Sequence, residues 1–246
     1  MHEYPVELPA FTSAQAVGQV WLDHLKQFKA VSALPEAMLA QLLERCEIMA
    51  QTSLKQGVKL VRAVEAFFPD QAELLEPVAA HVIPLAYRSS AGLQEARKQE
   101  IEQIIDDLAD DYEAASPEQQ VAVSMLAVQE LLSALTLSVS EQEPHLVREW
   151  ITAHGLLKLE ALYQTNRLLI EAALPSGGRL QLLGGESEAQ ATRPDAGQLS
   201  LVQSAPKAGQ TYTLEVFLSQ SGQRPLRFAL SVVKDSRRTR TASFLS

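Results

Sequence analysis

The chain has 246 residues, with 21 lysines and arginines against 30 aspartates and glutamates, a formal charge of −9 at neutral pH. That excess of negative charge repels phosphate backbones and anionic lipid, which argues against nucleic acid and against a membrane as partners. At 46% apolar and 21% charged the composition is that of an ordinary globular protein, and the single cysteine, Cys46, excludes an internal disulfide. No apolar run approaches the roughly 20 residues that a membrane-spanning helix needs. The N-terminus, Met1-His-Glu-Tyr-Pro-Val-Glu7, has neither a basic nor an apolar leader segment, so the expected location is cytoplasmic.

Residues 1–11 contain Pro5 and Pro9 and read as an extended arm. A first helix is expected from Ser13 to about Lys29, turning Val17, Val20, Trp21, Leu25 and Phe28 inward. Pro35 opens a longer helical run through Leu39, Leu42, Leu43, Cys46, Ala50, Leu54, Val58, Val61, Val64 and Phe68, with a bend near Gln56-Gly57. Asp70, with Glu73 three residues on, is placed to cap the next helix, which carries Pro77 and Pro84 and should kink and end near Tyr87. A further helix is expected from Leu93 to about Ala115. Ser116-Pro117-Glu118-Gln119 then combines a capping serine, a proline at the first helical position and a glutamine at the third, and starts a helix carrying Val121 to Leu137.

From Pro144 to Ala173 apolar residues recur at three- and four-residue steps (Val147, Trp150, Ile151, Leu157, Ala161, Leu162, Leu168, Leu169), while Leu156, Leu159, Tyr163 and Ile170 widen the stripe. This predicts a long helix packed on several sides, the spine of a helical domain, stopped by Pro175-Ser-Gly-Gly178. Beyond it the period becomes two. Tyr212, Leu214, Val216 and Leu218, then Leu226, Phe228, Leu230 and Val232, alternate with polar or small residues, and further strands are expected at 179–183, 187–193 and 198–203. The fold class is therefore α+β, an N-terminal multi-helix bundle of about six helices followed by a small antiparallel β meander or sandwich. The expected divisions are an arm at 1–11, an all-helical domain at 12–175, a small antiparallel β domain at 176–235 and a flexible basic tail at 236–246.

The sharpest local pattern is Ile104-Ile105-Asp106-Asp107-Leu108-Ala109-Asp110-Asp111, which places Asp106 and Asp110 one helical turn apart with Asp107 and Asp111 beside them. Carboxylates so spaced suit Mg²⁺, a hard cation that bridges to phosphate oxygens. The pattern resembles the aspartate-rich motif of class I isoprenoid synthases, which implies a Mg-dependent, all-helical enzyme binding a diphosphate substrate. No second aspartate-rich segment accompanies it. The same helix turns Ile101, Ile104, Ile105, Leu108 and Tyr112 inward, leaving Glu102, Asp106, Asp110 and Glu113 as a solvated acidic face suited to a basic protein surface. Arg237, Arg238 and Arg240, upstream of Ser243, form a second candidate contact.

His145 and Glu149 lie four residues apart but are too few for a zinc site, and His81 and His154 are expected in apolar helices. No nucleophile elbow, phosphate-binding loop or dinucleotide fingerprint is present. The expectation is therefore a non-enzymatic interaction or regulatory protein with no cofactor, whose partner is another protein with a basic surface. The alternatives are the Mg-dependent diphosphate enzyme and a small-ligand sensor with a pocket between helical and β parts.

Overall fold

The computed structural model describes residues 20–87, 112–185, 188–219 and 224–233. Six α-helical segments precede nine strands among them: α1 (20–25), α2 (Lys29–Ser32), α3 (Glu36–Ala50), α4 (Gln56–Val64), α5 (Ala72–Tyr87) and α6 (Pro117–Leu135). The strands are β1 (Thr136–Val139), β2 (His145–Thr152), β3 (Gly155–Gln164), β4 (Arg167–Leu174), β5 (Gly178–Leu183), β6 (Ala189–Arg193), β7 (Gly197–Ser204), β8 (Thr211–Leu218) and β9 (Leu226–Val232).

The helical boundaries follow local chemistry. Ser116 Oγ accepts from the Gln119 amide while the Gln119 side chain accepts from the Ser116 amide, so the expected capping box at the start of α6 is formed, with Pro117 at the first position. The run after Pro35 breaks at 51–55, just ahead of Gly57. The helix before it ends sooner than expected, at residue 25, since a turn at 26–28 separates α1 from α2. Asp70 makes no capping bond; Pro69–Gln71 is instead a 3-10 turn leading into α5.

The expected helix from Pro144 to Ala173 is the main correction, and with it falls an all-helical region reaching residue 175. This stretch is three antiparallel strands. Ala153-His154 turns the chain between β2 and β3, and Thr165-Asn166, with φ of 49° and 58°, forms the left-handed turn between β3 and β4. Burial alternates along each strand: Trp150 and Thr152, then Leu157, Leu159 and Ala161, then Leu168, Ile170, Ala172 and Leu174. The helix-like pattern arose because Val147, Ile151, Leu156, Leu162 and Leu169 place apolar groups on the opposite, outward face as well. α6 also stops sooner than expected, and Leu137 belongs to β1.

The strands form two sheets. One has the order β1-β9-β8-β5-β6 and the other β2-β3-β4-β7; β1 with β9 is parallel and every other pairing is antiparallel. Pro175-Ser-Gly-Gly, expected as a helix stop, is the corner where the chain passes from one sheet to the other. A Cβ on Gly177 would lie 1.8 Å from the Pro194 carbonyl oxygen and one on Gly178 2.2 Å from that of Phe217, so neither position has room for a side chain. The sheets face each other through Leu180, Leu182, Tyr212, Leu214, Phe228 and Leu230 on one side and Trp150, Leu157, Leu159 and Ile170 on the other, a sandwich interior. Helix α3 covers the outer face of the five-stranded sheet, where Thr213 Oγ1 donates to Gln51 Oε1 at 2.9 Å and the Arg227 amide donates to Glu47 Oε1 at 3.2 Å. Helices and strands share one contiguous apolar core. No helix among the described residues is long and apolar enough to cross a membrane.

Candidate functional site

Where the two sheets end in β1 and β2, the sandwich is open, and helices α1, α4 and α6, with Phe28 from the turn before α2, wall the opening into a trough. One half, about 500 Å³, is lined by His24, Phe28, Gln129, Glu130, Ser133, Ala134 and Arg148. The other, about 440 Å³, adds Gln56, Lys59, Thr136, Ser138, Glu143 and Leu146 and shares Gln129, Ser133 and Arg148 with the first. The shared residues make the two halves continuous.

Strand β2 forms one wall. Its even-numbered residues pair with β3 in a hairpin closed at Thr152 and Gly155. The odd-numbered ones direct their backbone groups away from β3: the Ile151 amide donates to His24 Nδ1 at 3.2 Å, and beyond the strand the Ala153 amide donates to the Val20 carbonyl. Helix α1 thus covers the end of this edge. The same alternation leaves the Val147 and Glu149 backbone groups directed away from β3, where the one bond they make among the described residues is from Arg148 Nη1 to the Val147 carbonyl, at 3.3 Å; the β2 residues that line the opening itself are Leu146 and Arg148.

Helix α1 is anchored by aromatic packing. Trp150 Nε1 donates to the Trp21 carbonyl at 3.1 Å, the His24 ring stacks on Trp150 with centroids 4.4 Å apart, and Phe28 meets His24 edge-on. Since His24 Nδ1 accepts the Ile151 amide, its proton resides on Nε2. Burial lowers the His24 pKa and keeps the ring neutral.

Two further trough groups are perturbed by burial. Lys59 is shifted down by burial, and among the described residues its Nζ reaches only the Ala50 carbonyl, at 3.5 Å. Glu130 is shifted up by burial, opposed by hydrogen bonds from the Val31 and Ala30 amides, so its carboxylate serves the N-terminus of α2, which has no side-chain cap of its own. Gln129 Oε1 and Glu130 Oε2 are buried without a hydrogen-bond partner among the described residues. Neither Lys59 nor Arg148 forms an ion pair there. Desolvated titratable groups gathered with unsatisfied polar atoms in a concave opening make the trough the candidate site.

Two other features are set apart from it. A groove of about 690 Å³ lies between α4 and α5, lined by Val58, Val61, Ala79 and Ala80 together with Lys55, Arg62, Glu65 and Glu76, none of which holds a buried unsatisfied polar atom among the described residues. Glu47, 2% exposed, joins α3 to the five-stranded sheet through Arg224 at 3.5 Å and the Arg227 amide, and Arg227 Nε in turn meets Glu215 at 2.8 Å.

Of the residues singled out from sequence, Glu102, Asp106, Asp107, Asp110, Asp111, Arg237, Arg238, Arg240 and Ser243 lie outside the described residues. Glu113 is exposed in a 3-10 turn, Tyr112–Ala114. His145 and Glu149 both project from the outer face of β2, and His145 Nε2 meets Glu160 Oε1 across the sheet at 2.6 Å. That hydrogen bond is the leading cause of the lowered Glu160 pKa. His154 sits in the β2–β3 turn and His81 is exposed on α5, so neither is a core histidine of an apolar helix. Cys46 is fully buried, and burial pushes its thiol up, away from reactivity. No group of three or more metal-ligating side chains occurs among the described residues. Sequence reading missed the trough residues His24, Lys59, Gln129, Glu130 and Arg148, which come from four separate elements. No local signal joins them; the turn at Thr165-Asn166 could have exposed only the strand character of β2 to β4. Comparison with protein-family models, curated proteins and solved structures found no match to the chain.

Proposed function

We propose that the protein is a non-enzymatic regulatory protein that binds another protein by accepting an extended segment of it along the open edge of β2, within the trough. The observation that carries this reading is the backbone of Val147 and Glu149, directed away from β3 at the edge of the four-stranded sheet, with their neighbours Leu146 and Arg148 lining the trough. An added strand gains main-chain hydrogen bonds from such an edge, and the flanking side chains set which segment fits. The trough is open to solvent along its length, which suits an extended segment better than an enclosed small ligand. The net charge of −9 favours approach of a partner whose wider surface is basic. No described residue favours the diphosphate enzyme, whose aspartates lie elsewhere in the chain.

Val147→Pro tests the reading. The Val147 amide points away from β3, so proline removes an edge donor and blocks an incoming strand without breaking the β2–β3 ladder. A stoichiometric partner should co-purify with the wild-type chain from native lysate and be lost with Val147→Pro, the melting temperature staying within a few degrees. A partner retained equally by the variant, or none recovered by the wild type, contradicts the proposal.

A further inference from the structure

The side chains of the trough are not symmetric along its length. Lys59 lines only the half nearer α4, and Arg148 lines both halves; neither cation has an ion-pair partner among the described residues, and the one carboxylate lining the α4 half is the exposed Glu143. Lys59 is partly desolvated there, which makes a carboxylate beside it more favourable than water alone. The half nearer α1 holds neutral His24 and Glu130, whose Oε2 is a buried acceptor without a donor among the described residues. Gln129 Oε1, between the halves, is a second such acceptor.

We infer that the segment received by the trough carries an acidic side chain where it passes Lys59 and Arg148 and a hydrogen-bond donor where it passes Gln129 and Glu130. The inference rests on the reading of β2 as an acceptor edge and adds the chemistry and polarity of what is accepted. Two cations flanking a carboxylate supply charge-assisted hydrogen bonds, roughly twice as strong as neutral ones. An unsatisfied buried acceptor penalises any segment that brings it no donor. Together they fix which end of the segment lies at α4 and which at α1.

A display library of random ten-residue peptides, selected on the full chain, is the probe. Enriched peptides should carry Asp or Glu at a fixed position with Ser, Asn, Gln or Lys at a fixed separation from it. By fluorescence anisotropy, the combined Lys59→Gln and Arg148→Gln variant should bind them at least about tenfold more weakly. Replacing the peptide's acid with its amide should cost a similar factor against the wild type and nothing further against the double variant. The peptide substitution leaves the protein untouched, so a folding defect cannot mimic this result. Peptides that lose binding with Val147→Pro but bind the wild type and the double variant equally overturn the acidic assignment while leaving the edge intact. Peptides indifferent to Val147→Pro, or no enrichment at all, overturn both.

Discussion

Glu47 is a carboxyl group held almost entirely out of water between α3 and the five-stranded sheet. Burial raises its pKa from 4.5 to about 7, and the attraction of Arg224 and the hydrogen bond from the Arg227 amide offset only part of that shift. The folded state therefore binds this proton more tightly than the unfolded state does. The resulting stabilisation is complete below the unfolded value of 4.5 and is lost as pH rises through about 7. The urea midpoint of the wild-type chain should fall between about pH 5 and pH 8, and Glu47→Gln should remove most of that slope. An unchanged slope in the variant would mean that Glu47 ionises normally within its arginine pair.

Among the elements, the β3–β4 hairpin shows how local chemistry overrides an apolar pattern. Thr165 adopts φ of 49°, a conformation that a β-branched residue reaches at a cost of about 1 kcal/mol, and Asn166 adopts φ of 58°. Replacing Thr165-Asn166 with Asn-Gly supplies the pair that this turn prefers and should stabilise the chain by about 1 kcal/mol in urea unfolding. Were residues 144–173 a helix, the same glycine would destabilise by a similar amount. The five strands from β5 to β9 were legible because polar and apolar residues alternate in them and glycine-bearing turns separate them. Strands β2 to β4 were not, because Val147, Ile151, Leu156, Leu162 and Leu169 fill the outward register with apolar groups and erase the alternation. The capping box at Ser116 was legible since it lies within four residues. The trough was not, since His24, Lys59, Gln129 and Arg148 meet only after the sandwich and the helices have packed.

At the scale of the whole molecule, helices and sandwich depend on each other. The face of the five-stranded sheet that meets α3 buries Glu215 at 8% and Ala229 at 2% exposure, and α1 closes the sandwich end over Trp150. A fragment of residues 136–246 would expose both surfaces and should show no cooperative urea transition, whereas the full chain should unfold in one. A fragment that unfolds cooperatively by itself would make the β region an independent domain. The trough is built by this dependence, with one wall from the helices and the other from a sheet edge that, among the described residues, only α1 partly covers.

That open edge is the central claim, and amide hydrogen exchange followed residue by residue in the free chain tests it most directly. Leu146, Arg148 and Trp150, whose amides face β3, should exchange slowly, and Ile151, bonded to His24, should be protected as well. Val147 and Glu149 should exchange much faster than the neighbours on either side. Equal protection at all of these amides would contradict the account, since it would mean that the edge of β2 is already paired.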